Sequence, residues 1–295
     1  MICLQKCGTI NLIESGVFMT DKQERQHQED LQRLRGFRLL DDDFMTKCFE
    51  GETACMELVL RIVLEKPDLQ VTDVRTQVFV ENLLNRSVRL DILATDSEGR
   101  KINVEIQRAD HGAGKRRARY NSAMMDVNLL PKGEDTDDLP ETYVVFITEN
   151  DVLGGGLPLH RISRYDHDMG TPFDDGTHII YVNGAYRGSS PIGLLMHDFA
   201  CTDPAEMHYN ALADRVRFYK ESKEGVAIMC KVMEEMREQS LQEGLEEGMK
   251  VGRKESAVET AKRMLADGHL SLEKIAEFTG LNLDEVEKLQ TAENA

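Results

Sequence analysis

The chain has 295 residues, 41% of them hydrophobic and 30% charged, enough to bury one large or two ordinary cores beneath a charged surface. Its 53 acidic residues outnumber 36 basic ones and give a formal net charge of −17, which excludes indiscriminate nucleic-acid binding, because phosphate binding needs clustered Lys and Arg. No stretch approaches the ~18 apolar residues of a membrane span, so no membrane partner is expected.

Residues 1–40 read as a polar N-terminal segment. MICLQKCGTINLIESGVFMT has neither a cationic start nor a sustained apolar run, unlike a secretory signal. Met19 precedes the polar run TDKQERQHQED and is an alternative start. The six cysteines include Cys3 and Cys7, but no His/Cys cluster follows at a zinc-ligand spacing. Reduced thiols and a cytoplasmic location are the expectation.

From Asp42 to Leu64, apolar residues recur at helical intervals, with Gly51 dividing two helices and Lys66-Pro67 ending the second. Val74 to Glu81 alternates like a first strand. Arg89 to Gln107, RLDILATDSEGRKINVEIQ, then reads as a β-hairpin. Val88, Leu90, Ile92 and Ala94 share one face; Arg89, Asp91 and Leu93 share the other. The returning strand sets Ile102, Val104 and Ile106 against Lys101, Asn103, Glu105 and Gln107. A three-residue loop, Ser97-Glu98-Gly99, pairs Asp96 with Arg100 and, counting back, Asp91 with Glu105.

Like charges directly opposite destabilise a sheet unless neutralised. A divalent cation such as Mg²⁺ or Mn²⁺, which takes oxygen ligands, would do so. The competing reading is a solvated hairpin face with ordinary charges.

Lys115 to Leu129 reads as a helix. Lys115, Arg116, Arg117 and Arg119 form a basic cluster without an interposed acid, either a phosphate-binding surface or a solvated face. Arg116 and Tyr120, four residues apart, share a side and could meet a phosphate. Tyr143 to Ile147 is a strand buried on both faces, and His178 to Val182 is another. His160, His167, His178 and His197 are scattered, without a zinc-motif spacing, and read as surface or core residues.

The segment 201–240 is a helical extension, and 241–295 a charged helical linker and tail. Gly244, Gly248 and Gly252 recur every four residues on a helix that would be exposed or self-associating. Asn282 and Glu285 form a capping box for a last helix. The tail has a helix-turn-helix silhouette, suited to protein contact as much as to DNA.

LDILATDSEGRKINVEIQ, followed by RRARYNSAMM and preceded by DDDFMTKCFE, resembles the recombination-promoting nuclease and transposase branch of the PD-(D/E)xK nuclease superfamily. The resemblance runs from about Asp41 to Cys230. It implies an α/β fold, a restriction-endonuclease-like mixed sheet flanked by helices over residues 41–200. It also implies a Mg²⁺-dependent DNA endonuclease, with Asp91 and Glu105 holding the metal, aided by the Ile106 carbonyl. Gln107 stands where the superfamily usually carries Lys and would orient the water, with Arg116 supplying some of the missing charge. Glu57 is matched to the acid that the first core helix supplies, against the reading of an exposed helix acid. Lys115, Arg116, Arg117, Arg119 and Tyr120 would bind DNA; self-association through the C-terminal helices rests separately on the glycine spacing. The alternative is a nuclease-like scaffold that binds partners through those helices.

Overall fold

The computed structural model describes residues 21–82, 86–108 and 110–293. Cys3, Cys7 and Met19 lie outside these residues. The chain divides into two compact units, Met1–Cys230 and Lys231–Ala295.

The first unit begins with α1 (Asp21–Arg35), α2 (Asp42–Phe49) and α3 (Thr53–Leu64), followed by strands β1 (Val71–Val80), β2 (Val88–Asp96) and β3 (Lys101–Gln107). Helix α4 (Lys115–Leu129) leads to β4 (Thr142–Thr148), β5 (Leu159–Ile162), the short ribbon β6 (Tyr165–Asp166) and β7 (Thr171–Pro172), and β8 (Thr177–Asn183). Then come α5 (Pro191–Ala200), α6 (Asn210–Glu221) and α7 (Lys223–Asp267), with α8 (Leu272–Thr279) and α9 (Leu283–Glu293) last.

Six strands make one mixed sheet in the order β1-β2-β3-β4-β8-β5. β1, β2 and β3 are antiparallel neighbours, β4 and β8 continue in parallel with β3, and β5 closes the edge antiparallel to β8. Every residue of β4 is buried, as a strand covered on both faces should be. Helix α4 covers one face, where Ala118, Met124 and Met125 join Leu93, Val144 and Phe146 in a core. Helices α2 and α3 pack against β1, and α3 also meets α5 and α6. This is a restriction-endonuclease-like α/β fold, followed by long C-terminal helices.

The hairpin carries the predicted turn. Gly99 sits at φ 83°, the left-handed region that Gly enters without steric cost, and donates its N–H to the Asp96 carbonyl at 3.1 Å. Asp96 N–H reaches the Arg100 carbonyl at 3.2 Å. The buried Asp96 carboxylate fixes the loop by accepting the N–H groups of Glu98 and Arg100, each at 3.0 Å. The ladder that follows pairs Thr95 with Lys101 and Ile92 with Val104.

Two regions depart from expectation. The polar run near the N-terminus forms α1, which buries Leu34. The helical stretch after residue 204 is broken at Ser222, whose hydroxyl accepts the Gly225 N–H at 2.9 Å.

The second unit holds a small core of Ala261, Ile275, Leu281 and Val286. Gly280, at φ 72°, ends α8. The capping box is present: Glu285 N–H donates to Asn282 Oδ1 at 2.8 Å, and Asn282 N–H to Glu285 Oε2 at 3.1 Å.

Candidate active site

Beyond the Ile92–Val104 pair, the same register sets Asp91 opposite Glu105. Side chains take over there from the backbone ladder. Asp91 N–H donates to Glu105 Oε1 at 3.4 Å, and Ile106 N–H donates to Asp91 Oδ2 at 3.0 Å. Each strand thus satisfies an amide of the other with a carboxylate. Glu105 also accepts from Asn103 Nδ2 at 3.1 Å and forms an ion pair with Arg117 Nη2 at 2.9 Å. Glu105 is fully buried and Asp91 nearly so.

Such a pair is electrostatically costly. Burial, reinforced by the negative charge of Glu105, pushes the Asp91 carboxyl up to about 7. Burial also raises Glu105, against the opposing pull of Arg117. Arg117 therefore neutralises part of the charge that the sequence left to a cation. It is the guanidinium that pairs with Glu105, while Arg116, expected on helical spacing to meet phosphate, lines the cleft. One residue along α4 turns the side chain by about 100°, which sets Arg117 apart from Arg116 as the partner of Glu105.

Gln107 Nε2 points at Asp91 Oδ2, 3.4 Å away. Its amide is confined by Gly112, where an added Cβ would stand 2.1 Å from Gln107 Oε1. A side chain at position 112 would displace Gln107. Ile106 turns its backbone toward β2, because Lys101 N–H and the Gln107 carbonyl, an odd number of steps away, bond with the β4 side. The Ile106 carbonyl thus shares the strand edge on which the Ile106 N–H meets Asp91.

Across β2, the β1 register runs from Thr76–Ile92 to Val78–Leu90 and omits Gln77, the residue facing Asp91. Gln77 adopts φ 52°, a left-handed backbone that a non-Gly residue rarely takes within a strand, at a cost of roughly 1–3 kcal/mol. Its amide Nε2 donates instead to Asp42 Oδ1 at 3.2 Å and Thr46 Oγ1 at 3.1 Å on α2.

Asp42 lines the same cleft as Asp91 and adds to its charge repulsion. Glu57 is placed elsewhere. Its Oε2 accepts the Val71 N–H at 3.0 Å and its Oε1 pairs with Arg61 at 2.6 Å. Val71 pairs with Asp96, at the turn end of β2 and roughly 17 Å along the strand from Asp91. The helical acid beside the pair is Asp42, from the Asp41-Asp42-Asp43 triplet; Glu57 braces the start of β1.

Asp91 lines a cleft of about 1280 Å³; Glu105, fully buried, is not among its lining residues. Arg86, Arg89, Arg108, Arg116, Arg117 and Arg119 line it, against the acids Asp42 and Asp91. The surplus of positive charge is local, in a chain of net charge −17. Lys115 is exposed on the first turn of α4 and is not among the cleft residues. The Tyr120 side chain reaches the cleft, but its hydroxyl donates to the Arg86 carbonyl, so it secures the β1–β2 connection.

The donor set suits a hard divalent cation: two carboxylates, a backbone carbonyl and, among the described residues, the buried Asn103 Oδ1, which has no hydrogen-bond partner. Residues 50–184 match the family model of the PD-(D/E)XK nuclease family transposases, a stretch that contains Asp91, Glu105, Gln107 and α4. No curated protein and no solved structure matches the chain.

Proposed function

We propose that this chain, whose residues 50–184 form a PD-(D/E)XK nuclease family transposase domain, is a divalent-metal-dependent DNA endonuclease that hydrolyses phosphodiester bonds in recombination or element movement. The observation that carries the reading is the facing pair Asp91 and Glu105, of which Asp91 lines an arginine-rich cleft. Asp91, Glu105 and the Ile106 carbonyl would hold Mg²⁺ or Mn²⁺. Bound there, the ion supplies Lewis-acid polarisation of a phosphoryl oxygen and acidifies a water.

The chain's own residues supply the rest. Gln107 donates its amide N–H to Asp91 and packs its Oε1 against Gly112, which fixes the amide beside the acid where it can orient the attacking water. Arg116 and Arg119 contact the phosphate oxygens flanking the scissile bond. Arg117 restrains Glu105 and provides the positive charge that Gln107 lacks. The first turn of α4 carries three consecutive cations and no acid, which opposes the helix dipole and favours an anion in the cleft.

The test is incubation of purified protein with supercoiled plasmid, in Mg²⁺ or Mn²⁺ and in chelator. Nicking only with metal supports the reading.

One observation favours the scaffold alternative: Arg117 already occupies Glu105. Leu241, Leu245 and Met249, exposed at four-residue intervals on α7, suit self-association or partner capture. A chain that nicks nothing with either metal, yet self-associates in a way abolished by Leu245→Glu, fits that alternative.

A further inference from the structure

Away from the nuclease cleft, the last turn of α5 and the segment leading into α6 bring together His197, Asp198 and His208, none of which lines the cleft. One ligand atom from each lies within 4.8 Å of the others. His197 Nδ1 is 3.2 Å and His208 Nδ1 3.0 Å from the same oxygen, Asp198 Oδ1. The two rings stand 4.6 Å apart and nearly perpendicular, at 84°. We infer that His197, Asp198 and His208 form a second metal site, for a transition-metal dication of the Zn²⁺ class, that ties α5 to α6.

Hydrogen bonding alone accounts poorly for this convergence. Asp198 Oδ1 also accepts the His208 backbone N–H at 2.8 Å, so three nitrogens converge on one oxygen with about two lone pairs, and any ring nitrogen without a proton there faces it lone pair to lone pair. As metal ligands, both Nδ1 atoms lose their protons and present lone pairs, and the crowding disappears. Bonds of ~2.0–2.2 Å in a tetrahedral array place ligand atoms about 3.3–3.6 Å apart, near the two His–Asp separations of 3.2 and 3.0 Å.

Two imidazoles and one carboxylate make a nitrogen–oxygen set suited to Zn²⁺ and poorly suited to Mg²⁺. The carboxylate is also braced as a ligand should be. Asp198 is fully buried, and its Oδ2 accepts the N–H groups of His208 at 3.0 Å and Tyr209 at 2.8 Å. Both histidines are partly open to solvent, which gives the ion an approach and leaves a fourth position for water. Sequence spacing hid the site, because its ligands fall on two sides of an irregular loop.

The test uses the full, untagged chain carrying Asp91→Asn and Glu105→Gln, so that zinc uptake does not depend on the nuclease site. After equilibration with Zn²⁺ and gel filtration, metal analysis should find one zinc per chain, and added Zn²⁺ should raise Tm. In the same background, His197→Ala and His208→Ala should each weaken zinc binding by more than about 100-fold, beyond the loss expected for a supporting residue. Co²⁺ should give the intense visible band of a tetrahedral site, lost in both variants. His208→Gln keeps a polar side chain and guards against a folding artefact, since it should fold yet bind no zinc. No retained zinc, or zinc retained equally by both alanine variants, would overturn the inference.

Discussion

Asp91 and Glu105 exchange side-chain bonds where their strands stop exchanging backbone ones: each carboxylate accepts an amide N–H from the strand opposite. This fixes both acids in a buried position, with Arg117 meeting part of their mutual repulsion. In the proposed function the pair is therefore a source of strain without metal as well as the site of chemistry.

Replacing one acid should separate these two effects. Asp91→Asn removes a buried charge while keeping the Ile106 N–H partnered, so the variant should melt higher than wild type in chelator at pH 8. Relief of roughly 1 kcal/mol raises Tm by about 2–4 °C. Mg²⁺ or Mn²⁺ should raise Tm for wild type and far less for the variant. Calorimetry that finds the apo variant equal to or below wild type contradicts the repulsion.

The pH dependence has a definite sign. A carboxyl raised to about 7 binds its proton more tightly in the folded state than in the unfolded chain, where its pKa is ~3.9. The stability it contributes is full below ~4 and is lost as pH rises through about 7. In chelator, the Tm advantage of Asp91→Asn over wild type should accordingly grow between pH 5 and pH 8. A difference that stays flat across that range contradicts the raised pKa.

Gly112 offers a probe that touches no charged group. The Cβ of Gly112→Ala would sit 2.1 Å from Gln107 Oε1 and must push the amide aside. Nicking should fall at least about tenfold, as for Gln107→Ala, with little change in DNA affinity. Equal activity in Gly112→Ala and wild type would remove Gln107 from the mechanism.

Gln77 can be dissected through its backbone. Gln77→Gly keeps the left-handed conformation without strain and removes the amide that holds Asp42 and Thr46. Stability should hold or rise while activity falls. Gln77→Val should instead cost roughly 1–3 kcal/mol, because a β-branched residue resists positive φ. A fully active Gln77→Gly shows that the tether to Asp42 is dispensable.

Much of this arrangement is legible in the sequence because it is local. The Asp96-to-Arg100 turn dictates the register, and the register dictates that Asp91 meets Glu105. The capping box at Asn282 is equally local. What escapes is long-range or conformational. Glu57 and Asp42 both lie on early helices, and only the packing of α2 against β1 brings the second to the cleft. Arg116 and Arg117 are told apart by the rotation of α4, which charge clustering does not reveal. The flipped Gln77 has no signature at all in a strand that otherwise alternates.

The arginine cleft predicts a salt dependence. Arg116→Ala with Arg119→Ala removes two phosphate contacts and should lower the slope of log affinity against log salt by about 2 for duplex DNA. Lys115→Ala, outside the cleft, should change it little. Binding titrations at several salt concentrations check this, and an unchanged slope in the double variant would move the substrate surface elsewhere.

The most direct test of the central claim is single-turnover nicking of supercoiled plasmid by wild type, Asp91→Ala and Glu105→Ala, each with Mn²⁺, with Mg²⁺ and with chelator. The account predicts metal-dependent nicking by wild type and its loss in both variants, with each variant still folded by circular dichroism. Nicking by either variant at the wild-type rate would contradict the assignment of Asp91 and Glu105 as the metal-holding pair.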